Sequence, residues 1–183
     1  MKINPWKTLE RKTVLRSKPW LEIESHRIQL PNGDVIDDWQ WIITPDFVNV
    51  VAVTEAGFFV CFKQQKYAVE GVTLAIVGGY VDEGEDTREA AKRELREETG
   101  LASSHWTNLG SYAIDGNRGC GNGHLFLAET CEHVGGEVQD DLEDQEKMTL
   151  SRAEVEAALL NGEFGVMPWA AALALALLRM KEK

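Results

Sequence analysis

Three carboxylates recur at helical spacing in residues 93–98, RELREE. If this run is a helix, Glu94, Glu97 and Glu98 occupy positions i, i+3 and i+4 and share one face. Like charges at this spacing repel each other and destabilise an isolated helix. Two explanations are open. The face is either solvated and relieved by the arginines of the run, or it binds a divalent cation, whose preferred ligands are carboxylate oxygens.

The residues that flank the run carry the signals of a helix start and a helix end. Asp86 and Glu89 have the spacing of a capping box at the start. Gly100 supplies a residue that readily adopts the left-handed conformation common at helix ends. The sequence therefore predicts a helix over Arg88–Thr99.

The loop ahead of this helix adds two groups to the same candidate site. Gly78 and Gly79 leave backbone carbonyls accessible to a cation held by the helix. Glu85 lies at the helix start within reach of Arg93, and an ion pair between these two side chains would lock the loop to the helix.

One spacing pattern covers the loop and the helix together. It reads glycine, five residues, glutamate, seven residues, Arg-Glu-aliphatic, one residue, Glu-Glu, one residue and Gly-aliphatic. The positions are filled by Gly79, Glu85, Arg93, Glu94, Leu95, Glu97, Glu98, Gly100 and Leu101. This pattern is the Nudix box, and chance agreement at so many positions is negligible. The chain therefore resembles the Nudix hydrolases.

The resemblance implies a fold and a metal-dependent reaction. Nudix hydrolases share an α/β/α sandwich with a mixed sheet. They hydrolyse a nucleoside diphosphate linked to a further group, with Mg²⁺ or Mn²⁺ bound by the box. The cation would neutralise the diphosphate, polarise a phosphoryl oxygen and acidify a bound water. The metal ligands implied by the resemblance are Glu94 and Glu98, with Glu97 as a further ligand and Gly78 through its carbonyl.

The remaining box residues receive different roles from the same resemblance. Glu97 and Glu98 count as catalytic as well as metal-binding. Gly79, Glu85 and Arg93 are expected to be structural.

Within the superfamily, residues 10–180 resemble the ADP-ribose and nucleotide-sugar pyrophosphatase branch. The resemblance rests on an N-terminal strand module, on the run KQQKY at residues 63–67 and on a helix-rich tail. In that branch the N-terminal strands join a second subunit, which implies a homodimer. Lys66 would contact phosphate, and the alternative for it is an exposed lysine at a strand end.

Aromatic residues of the N-terminal strands stack the nucleobase in that branch. Trp39 and Trp41 are the candidates here, with Trp20 behind them. Core packing of an alternating strand would explain the same tryptophans equally well.

Two departures from the branch widen the expected substrate range. A Pro-Gly motif that usually follows the box in the ADP-ribose enzymes is missing, and Val77 stands where a proline is common. Nucleotide sugars of guanine or uracil therefore stay open beside ADP-ribose. Arg118, among glycines where the missing motif would lie, could bring a guanidinium to the phosphates, or it is an ordinary arginine of a surface loop.

A general base is expected outside the box, in the acidic loop at residues 140–146. The branch often draws its base from a loop shortly before the final strand. Glu143 is the best candidate, with Asp141 and Glu146 as rivals. A merely solvated acidic loop is the alternative.

The N-terminal residues have the pattern of a β-hairpin. Trp20–Leu30 alternates between apolar and polar residues and shifts phase near Ser25, as a bulge would. Residues 31–34, PNGD, have the chemistry of a tight turn. Trp39 and Trp41 share one face of the returning strand. Such a hairpin cannot bury its apolar face alone.

Strands and helices alternate along the rest of the chain, which predicts a layered α/β domain. A glycine-rich loop is predicted at residues 115–123, and helices are predicted after Ser151 and from Pro168. The predicted strands are Val48–Thr54, Phe58–Lys63, Val72–Val77, Trp106–Ile114, His124–Glu129 and Lys147–Leu150. The chain is accordingly divided into a strand module at 1–45, for dimerisation and base binding, and a Nudix domain at 46–183.

Composition excludes several classes of protein. The net charge of the 183 residues is −11, being +1 over residues 1–45 and −12 over the rest, which argues against a nucleic-acid partner. The most apolar stretch, Met167–Leu178, is 12 residues long and too short to cross a membrane. Three cysteines without a paired spacing and a polar N-terminus indicate a reducing, cytoplasmic location.

The expected activity is metal-dependent hydrolysis of nucleoside diphosphate sugars to a nucleoside monophosphate and a sugar phosphate. The alternatives are a pyrophosphatase of nucleoside triphosphates or dinucleotides, or a catalytically silent Nudix-like sensor of metabolites. A silent module usually loses carboxylates of the box, and here all are present. An RNA-end-processing role has less support because no basic groove is visible.

Overall fold

The structure is a computed structural model that describes residues 3–138 and 144–180. The chain forms two compact units, one of Met1–Asp46 with Tyr112–Asn122 and one of Phe47–Ser111 with Gly123–Lys183. Two long strands, β9 (His105–Asp115) and β10 (Gly119–His133), contribute residues to both units.

The first unit is built on three antiparallel strands, β1 (Lys7–Ser17), β2 (Leu21–Gln29) and β3 (Val35–Ile43). The predicted hairpin turn lies between β2 and β3. The Leu30 amide donates to the Asp34 carbonyl over 2.8 Å, and Gly33 adopts a φ of +95°. The register of β2 against β3 shifts between His26 and Ile28, which confirms a bulge close to the predicted position.

Among the described residues of the first unit, few side chains are buried, and each of them belongs to β2. They are Glu22, His26 and Ile28. Every residue of β1 is exposed, including Leu9, Val14 and Leu15. The apolar side chains of β1 thus lack a covering layer within the described chain.

The second unit contains a mixed sheet in the order β10, β4 (Phe47–Thr54), β5 (Phe59–Gln64) and β11 (Gln145–Leu150). β4 is parallel to β10 and antiparallel to β5, which is antiparallel to β11. The short strands pair at the sides of this sheet: β6 (Thr73–Ala75) with β5, β7 (Val77–Tyr80) with β4, and β8 (Leu101–Ala102) with β10.

Among the residues that the structure describes, the second unit contains three helices, namely α1 (Thr87–Thr99), α2 (Arg152–Leu160) and α3 (Met167–Met180). α1 lies against β4 and β7, and α3 lies against β4. β4 is therefore buried along six of its eight residues. The predicted α/β fold with a mixed sheet is confirmed. Among the helices of the described residues, none is long and apolar enough to cross a membrane.

Two predicted segments differ from the structure. The strand predicted over residues 72–77 is two strands, β6 and β7, which separate at Ile76. The prediction of a loop over residues 115–123 is wrong, because only residues 116–118 form a turn and β10 begins at Gly119. Backbone pairing decides this: the Ile42 amide donates to the Arg118 carbonyl over 2.8 Å, and a Cβ on Gly119 would lie 2.8 Å from the Ile42 carbonyl oxygen.

Candidate active site

The helix that carries the three carboxylates begins and ends where its sequence predicts. The Asp86 side chain accepts hydrogen bonds from the amides of Arg88 and Glu89, and this caps the first turn of α1. Gly100 ends the helix in the left-handed conformation, with a φ of +69°. Leu95 points into the core and is fully buried, so the opposite side of the helix is left for polar residues.

Arg93 joins the helix to the preceding loop. Its Nε and Nη2 donate to the two carboxylate oxygens of Glu85, each over 3.0 Å, in a bidentate pair. Nη2 also donates to the Tyr80 carbonyl over 3.0 Å. Hydrogen bonding from Arg93 is the largest influence on Glu85 and lowers the pKa of that carboxyl. The structure thus brings together the two residues that the sequence paired.

The remaining nitrogen of the same guanidinium contacts the acidic face of α1. Arg93 Nη1 donates to Glu94 Oε1 over 2.6 Å and to Glu97 Oε2 over 3.1 Å. The Glu94 side chain is 13% exposed, whereas that of Glu97 is 42% exposed. Burial raises the pKa of Glu94, and the hydrogen bond from Arg93 opposes that rise.

The Glu94 carboxylate packs against the backbone of Gly79. A Cβ built on Gly79 would lie 2.2 to 2.4 Å from the three carboxyl atoms of Glu94. No side chain fits in that space unless Glu94 moves. Position 79 therefore requires glycine because the Glu94 carboxylate lies too close for a side chain. The backbone conformation at this position is one that other residues also adopt.

A small cleft of about 60 Å³ lies beside the acidic face. It brings together three residues singled out in the sequence, Gly78, Glu98 and Lys66. Its other lining residues are Phe62, Gln64, Ile76, Gln145 and Trp169. Sequence reasoning did not assign Gln64, although the KQQK run contains it. Trp169 gave no signal, because it stands in an apolar helix like any core residue.

Asn49 is another residue that the sequence did not single out. It lies on β4 opposite Gly78 and is 4% exposed. Its Oδ1 accepts no hydrogen bond from the residues that the structure describes. A lone asparagine in an otherwise apolar strand was the available signal.

The donor set of the acidic face fits a hard divalent cation in its chemistry, since carboxylate oxygens are the ligands that such ions prefer. The space that Gly79 leaves for Glu94 supports this fit, because it allows a largely buried carboxylate to lie against the backbone of the loop. Within residues 3–138 and 144–180, no three His, Cys, Asp or Glu side chains stand close enough together to hold a metal ion without rearrangement. Arg93 holds two of the carboxylates, and a cation would have to replace part of that hydrogen bonding.

The first unit contains a pocket of about 210 Å³ that includes both candidate tryptophans. Trp39 is fixed by a hydrogen bond from its Nε1 to the Asn117 carbonyl over 2.9 Å. The Arg118 guanidinium lies over the Trp39 ring, 4.2 Å from the centroid, and Trp6 meets the same ring edge-on at 5.3 Å. Arg118 and Trp39 thus form one stacked pair.

Trp41 and a buried histidine also line this pocket. The His26 ring stacks on Trp41 with centroids 5.7 Å apart, and its Nε2 lies 2.7 Å from a carboxylate oxygen of Glu24. Trp20 is 59% exposed and is not part of the pocket lining. Trp6 and His26 are lining residues that sequence reasoning missed, since neither has a spacing that connects it to the pair.

The candidate general base Glu143 lies outside the described residues, as does its rival Asp141. The other rival, Glu146, is on β11 and exposed, opposite Lys63 of β5.

Comparison with known proteins places these features in a family. Residues 43–170 match the NUDIX domain, and residues 6–42 match the nucleoside diphosphate sugar hydrolase N-terminal domain. The chain is 28% identical over 157 residues to an ADP-ribose pyrophosphatase of Bacillus subtilis (strain 168), covering 84% of this chain and 83% of the relative. It is also 28% identical over 154 residues to a methanol dehydrogenase activator of Bacillus methanolicus, with 80% and 83% covered.

A solved structure agrees with the fold over the whole chain. The crystal structure of an ADP compounds hydrolase superposes with a TM-score of 0.83 at 21% identity, covering 100% of this chain and 97% of that chain. The Nudix model spans the box, the cleft and most of the second unit. Resemblance, fold and enzyme class are thereby confirmed: the chain belongs to the Nudix family of pyrophosphohydrolases.

Proposed function

We propose that the protein hydrolyses the pyrophosphate bond of nucleoside diphosphate sugars, of the ADP-ribose and GDP-mannose type, to a nucleoside monophosphate and a sugar phosphate. The observation that carries the proposal is the acidic face of α1, held against the Gly79 backbone and linked to the loop through Arg93. The match of residues 6–42 to a nucleoside diphosphate sugar hydrolase domain supports the substrate class.

In this proposal the acidic face holds Mg²⁺ or Mn²⁺. Glu94 and Glu98 are the principal ligands, Glu97 is a further ligand, and the Gly78 carbonyl contributes an oxygen. When bound, the ion supplies charge neutralisation for the diphosphate and acidifies a water. Glu85 and Arg93 keep the loop at a fixed distance from the helix, so that carbonyl and carboxylate oxygens remain together.

Lys66 serves the phosphate end of the substrate. It lines the same cleft as Glu98 and Gly78, so its ammonium charge stands beside the acidic face. A cleft of about 60 Å³ accommodates an ion with part of its water, whereas pockets for whole ligands are several hundred Å³. The bulk of a nucleotide sugar therefore extends beyond this cleft.

The nucleobase is bound by the aromatic pocket of the first unit. Trp39 and Trp41 offer ring faces for stacking, and the pocket of about 210 Å³ suits a flat heteroaromatic ring. Arg118 already covers one face of Trp39. A base that uses this face would displace the guanidinium and leave it available for phosphate.

The proposal further assigns the general base to Glu143, which would take a proton from the attacking water. It places the enzyme in the cytoplasm, because Cys61, Cys120 and Cys131 are free thiols. Burial raises the pKa of Cys61 to about 12 and that of Cys131 to about 11, so both thiols stay protonated and unreactive at neutral pH.

A homodimer through residues 1–45 belongs to the same proposal. β1 exposes apolar side chains along its length, and only three residues of β1, β2 and β3 are buried. A sheet with so little core of its own gains most by covering its apolar side chains with a second copy.

The test is incubation with a panel of nucleoside diphosphate sugars and Mg²⁺ or Mn²⁺, followed by chromatography of the products. We expect a nucleoside monophosphate and a sugar phosphate in equal amounts, and no reaction when the ion is chelated. Release of inorganic pyrophosphate from triphosphates, with the sugars untouched, would instead indicate a triphosphate pyrophosphatase. Turnover of none of the sugars contradicts the proposal.

A further inference from the structure

Trp169 is a large side chain of α3 that is only 7% exposed. The N–H group of a buried indole ordinarily donates a hydrogen bond. Trp106 follows this rule, since its Nε1 donates to the Ser103 carbonyl over 2.8 Å. Within the residues that the structure describes, Trp169 Nε1 donates to no acceptor. The mechanism outlined above does not use this donor, so it calls for an explanation.

The unused N–H group of Trp169 is open to solvent. A polar atom that is both unpaired and sealed within the described chain is exemplified by Asn49 Oδ1, and Trp169 Nε1 is not an atom of that kind. Trp169 lines the cleft of about 60 Å³ beside the acidic face. Because nearly all of its remaining surface is covered, we infer that the N–H group opens into this cleft.

The lining of the cleft shows which chemistry would pair with this donor. Indole and ammonium groups donate hydrogen bonds and never accept them, and Trp169 and Lys66 bring one of each to the lining. Such donors disfavour a bare cation and suit an oxygen that carries negative charge. Glu98 lines the same cleft and suits the cation itself. A phosphoryl oxygen that binds the ion on one side and a donor on the other matches both parts of the lining.

We propose that Trp169 is a substrate-binding residue whose Nε1 donates a hydrogen bond to a non-bridging phosphoryl oxygen of the diphosphate. A water on the ion is a poorer partner, because it turns its lone pair to the ion and its hydrogens outward. The proposal gives α3 a part in substrate binding besides its packing on β4. It rests on the proposed function, since it needs a nucleoside diphosphate at the acidic face.

Trp169→Phe tests this role, because it removes the N–H group and keeps an aromatic ring. With Mg²⁺ in excess, we expect kcat/KM for the best nucleotide sugar to fall by about tenfold or more, the scale of a hydrogen bond to a charged group. Calorimetric titration of the full chain with the uncleavable α,β-methylene analogue of that sugar should show a similar loss of affinity. Titration with Mn²⁺ alone should be unchanged. A fall in Mn²⁺ affinity would show that the substitution disturbs the acidic face, and it would overturn the inference.

Trp169→His separates the N–H group from the volume of the ring, because phenylalanine is also smaller than tryptophan. Histidine is smaller still but retains a ring N–H group. At about pH 8, above its usual pKa of about 6.5, it is mostly neutral and adds little charge. We expect Trp169→His to keep a higher kcat/KM than Trp169→Phe. The reverse order would assign the loss to packing, and the inference would be wrong.

Trp106→Phe is the matched control, since it makes the same change at an indole whose N–H group donates to the Ser103 carbonyl. It should lower the melting temperature and leave kcat/KM unchanged, and a loss of kcat/KM equal to that of Trp169→Phe would overturn the inference. If the unaltered protein cleaves a nucleotide sugar and Trp169→Phe cleaves it equally well, the inference alone is wrong. If the unaltered protein cleaves none, the proposed function fails and the inference fails with it.

Discussion

At the scale of single residues, the site depends on how closely Glu94 approaches the backbone of Gly79. The carboxylate fills the volume that any side chain at position 79 would need. Its burial raises the cost of holding charge there, which the Arg93 guanidinium offsets. The contact with Gly79 and the hydrogen bond from Arg93 therefore fix the position of the Glu94 carboxylate on this helix.

Gly79→Ala tests this close approach. The added methyl group forces the Glu94 carboxylate away from the loop, and we expect the hydrolysis rate with Mg²⁺ to fall by about ten- to a hundredfold, the scale of a lost outer-shell contact at a metal. Steady-state kinetics on the best nucleotide sugar measures it. Gly57→Ala is the control, because Gly57 has a φ of +83° and open space around it. It should lower stability by about 1 kcal/mol or more and leave the rate unchanged. Equal rates for both variants would contradict the role of Gly79.

Glu98→Gln tests the second proposed metal ligand. A bound ion stabilises the transition state by several kcal/mol. The loss of one of its ligands should therefore lower the hydrolysis rate by roughly three orders of magnitude. Circular dichroism should show an unchanged fold, because the amide has the size of the carboxylate. Glu89→Gln, on the exposed side of the same helix and paired with Lys92, is the matched control and should retain full activity. Near-normal turnover by Glu98→Gln would mean that the metal site lies elsewhere.

Sequence reasoning and structure agree unevenly at this scale. The box spacing identified Gly79, Glu85 and Arg93 because each is held by a contact within a short stretch of chain. Trp169 reaches the cleft from a distant helix, and Asn49 reaches Gly78 from a distant strand. No local pattern records such an approach, since only the fold brings these side chains to the same place.

At the scale of elements, α1 and the loop before it behave as one piece because Arg93 binds both. A bidentate pair with Glu85 and a bond to the Tyr80 carbonyl fix the loop at three points. The pair is only partly exposed, at 29% and 19% of the two side chains, so solvent screens it incompletely.

Arg93→Lys removes the planar fork and keeps the charge. We expect the free energy of unfolding to fall by about 1–2 kcal/mol, because one ammonium cannot make these hydrogen bonds together. Urea denaturation measures the loss, and hydrogen exchange should show faster exchange over residues 80–85. Arg88→Lys, an exposed change in the same helix, is the control. A loss of the same size in both variants would show that the fork has no special role.

The end of α1 is tied to β11 by a second charged contact. Lys147 donates to the Thr99 carbonyl over 3.1 Å and to the Glu137 carboxylate. The hydrogen bond from Lys147 is the main cause that lowers the pKa of Glu137. A carboxyl whose pKa is lowered by folding stabilises the protein above its unfolded pKa of about 4.3, and this stability is lost as the pH falls through the lowered value.

The melting temperature of Glu137→Gln should therefore lie slightly below that of the unaltered protein at neutral pH, since the pair is exposed and partly screened, and the difference should disappear in acid. Thermal melts across a pH series measure it. Glu89→Gln serves again as the control, since its pair with Lys92 lies exposed on the surface of α1 and should contribute little to stability at any pH. A difference that grows as the pH falls would contradict the ion pair as its cause.

Elements were predicted well where capping and turn residues mark their ends. The ends of α1 and the capping box of α2 at Ser151 are examples. The glycine-rich segment was predicted as a loop because glycine disfavours strands in general. At Gly119 and Gly121 the glycines instead permit positive φ and close contact with the backbone of neighbouring residues, which a local rule does not distinguish.

At the scale of the whole molecule, composition and structure divide the chain in related ways. Residues 1–45 carry a net charge of +1 against −12 for the rest. The first compact unit begins with the same residues and also takes in Tyr112–Asn122. That second piece contains the end of β9, the turn and the start of β10, and the sequence holds no sign that it belongs with the N-terminal strands.

A unit with three buried residues in β1, β2 and β3, and with β1 fully exposed, is expected to be completed by a second copy. We predict that the protein, with a chain mass of 20.4 kDa, sediments at twice that mass. Val14→Glu, at an exposed apolar position of β1, should shift it to the monomer, because a charge buried at an interface without a partner is costly. Leu160→Glu, at a site 90% exposed at the end of α2, is the control and should remain dimeric. Sedimentation at 20.4 kDa by the unaltered protein would contradict the dimer, and a dimeric Val14→Glu would place the interface away from β1.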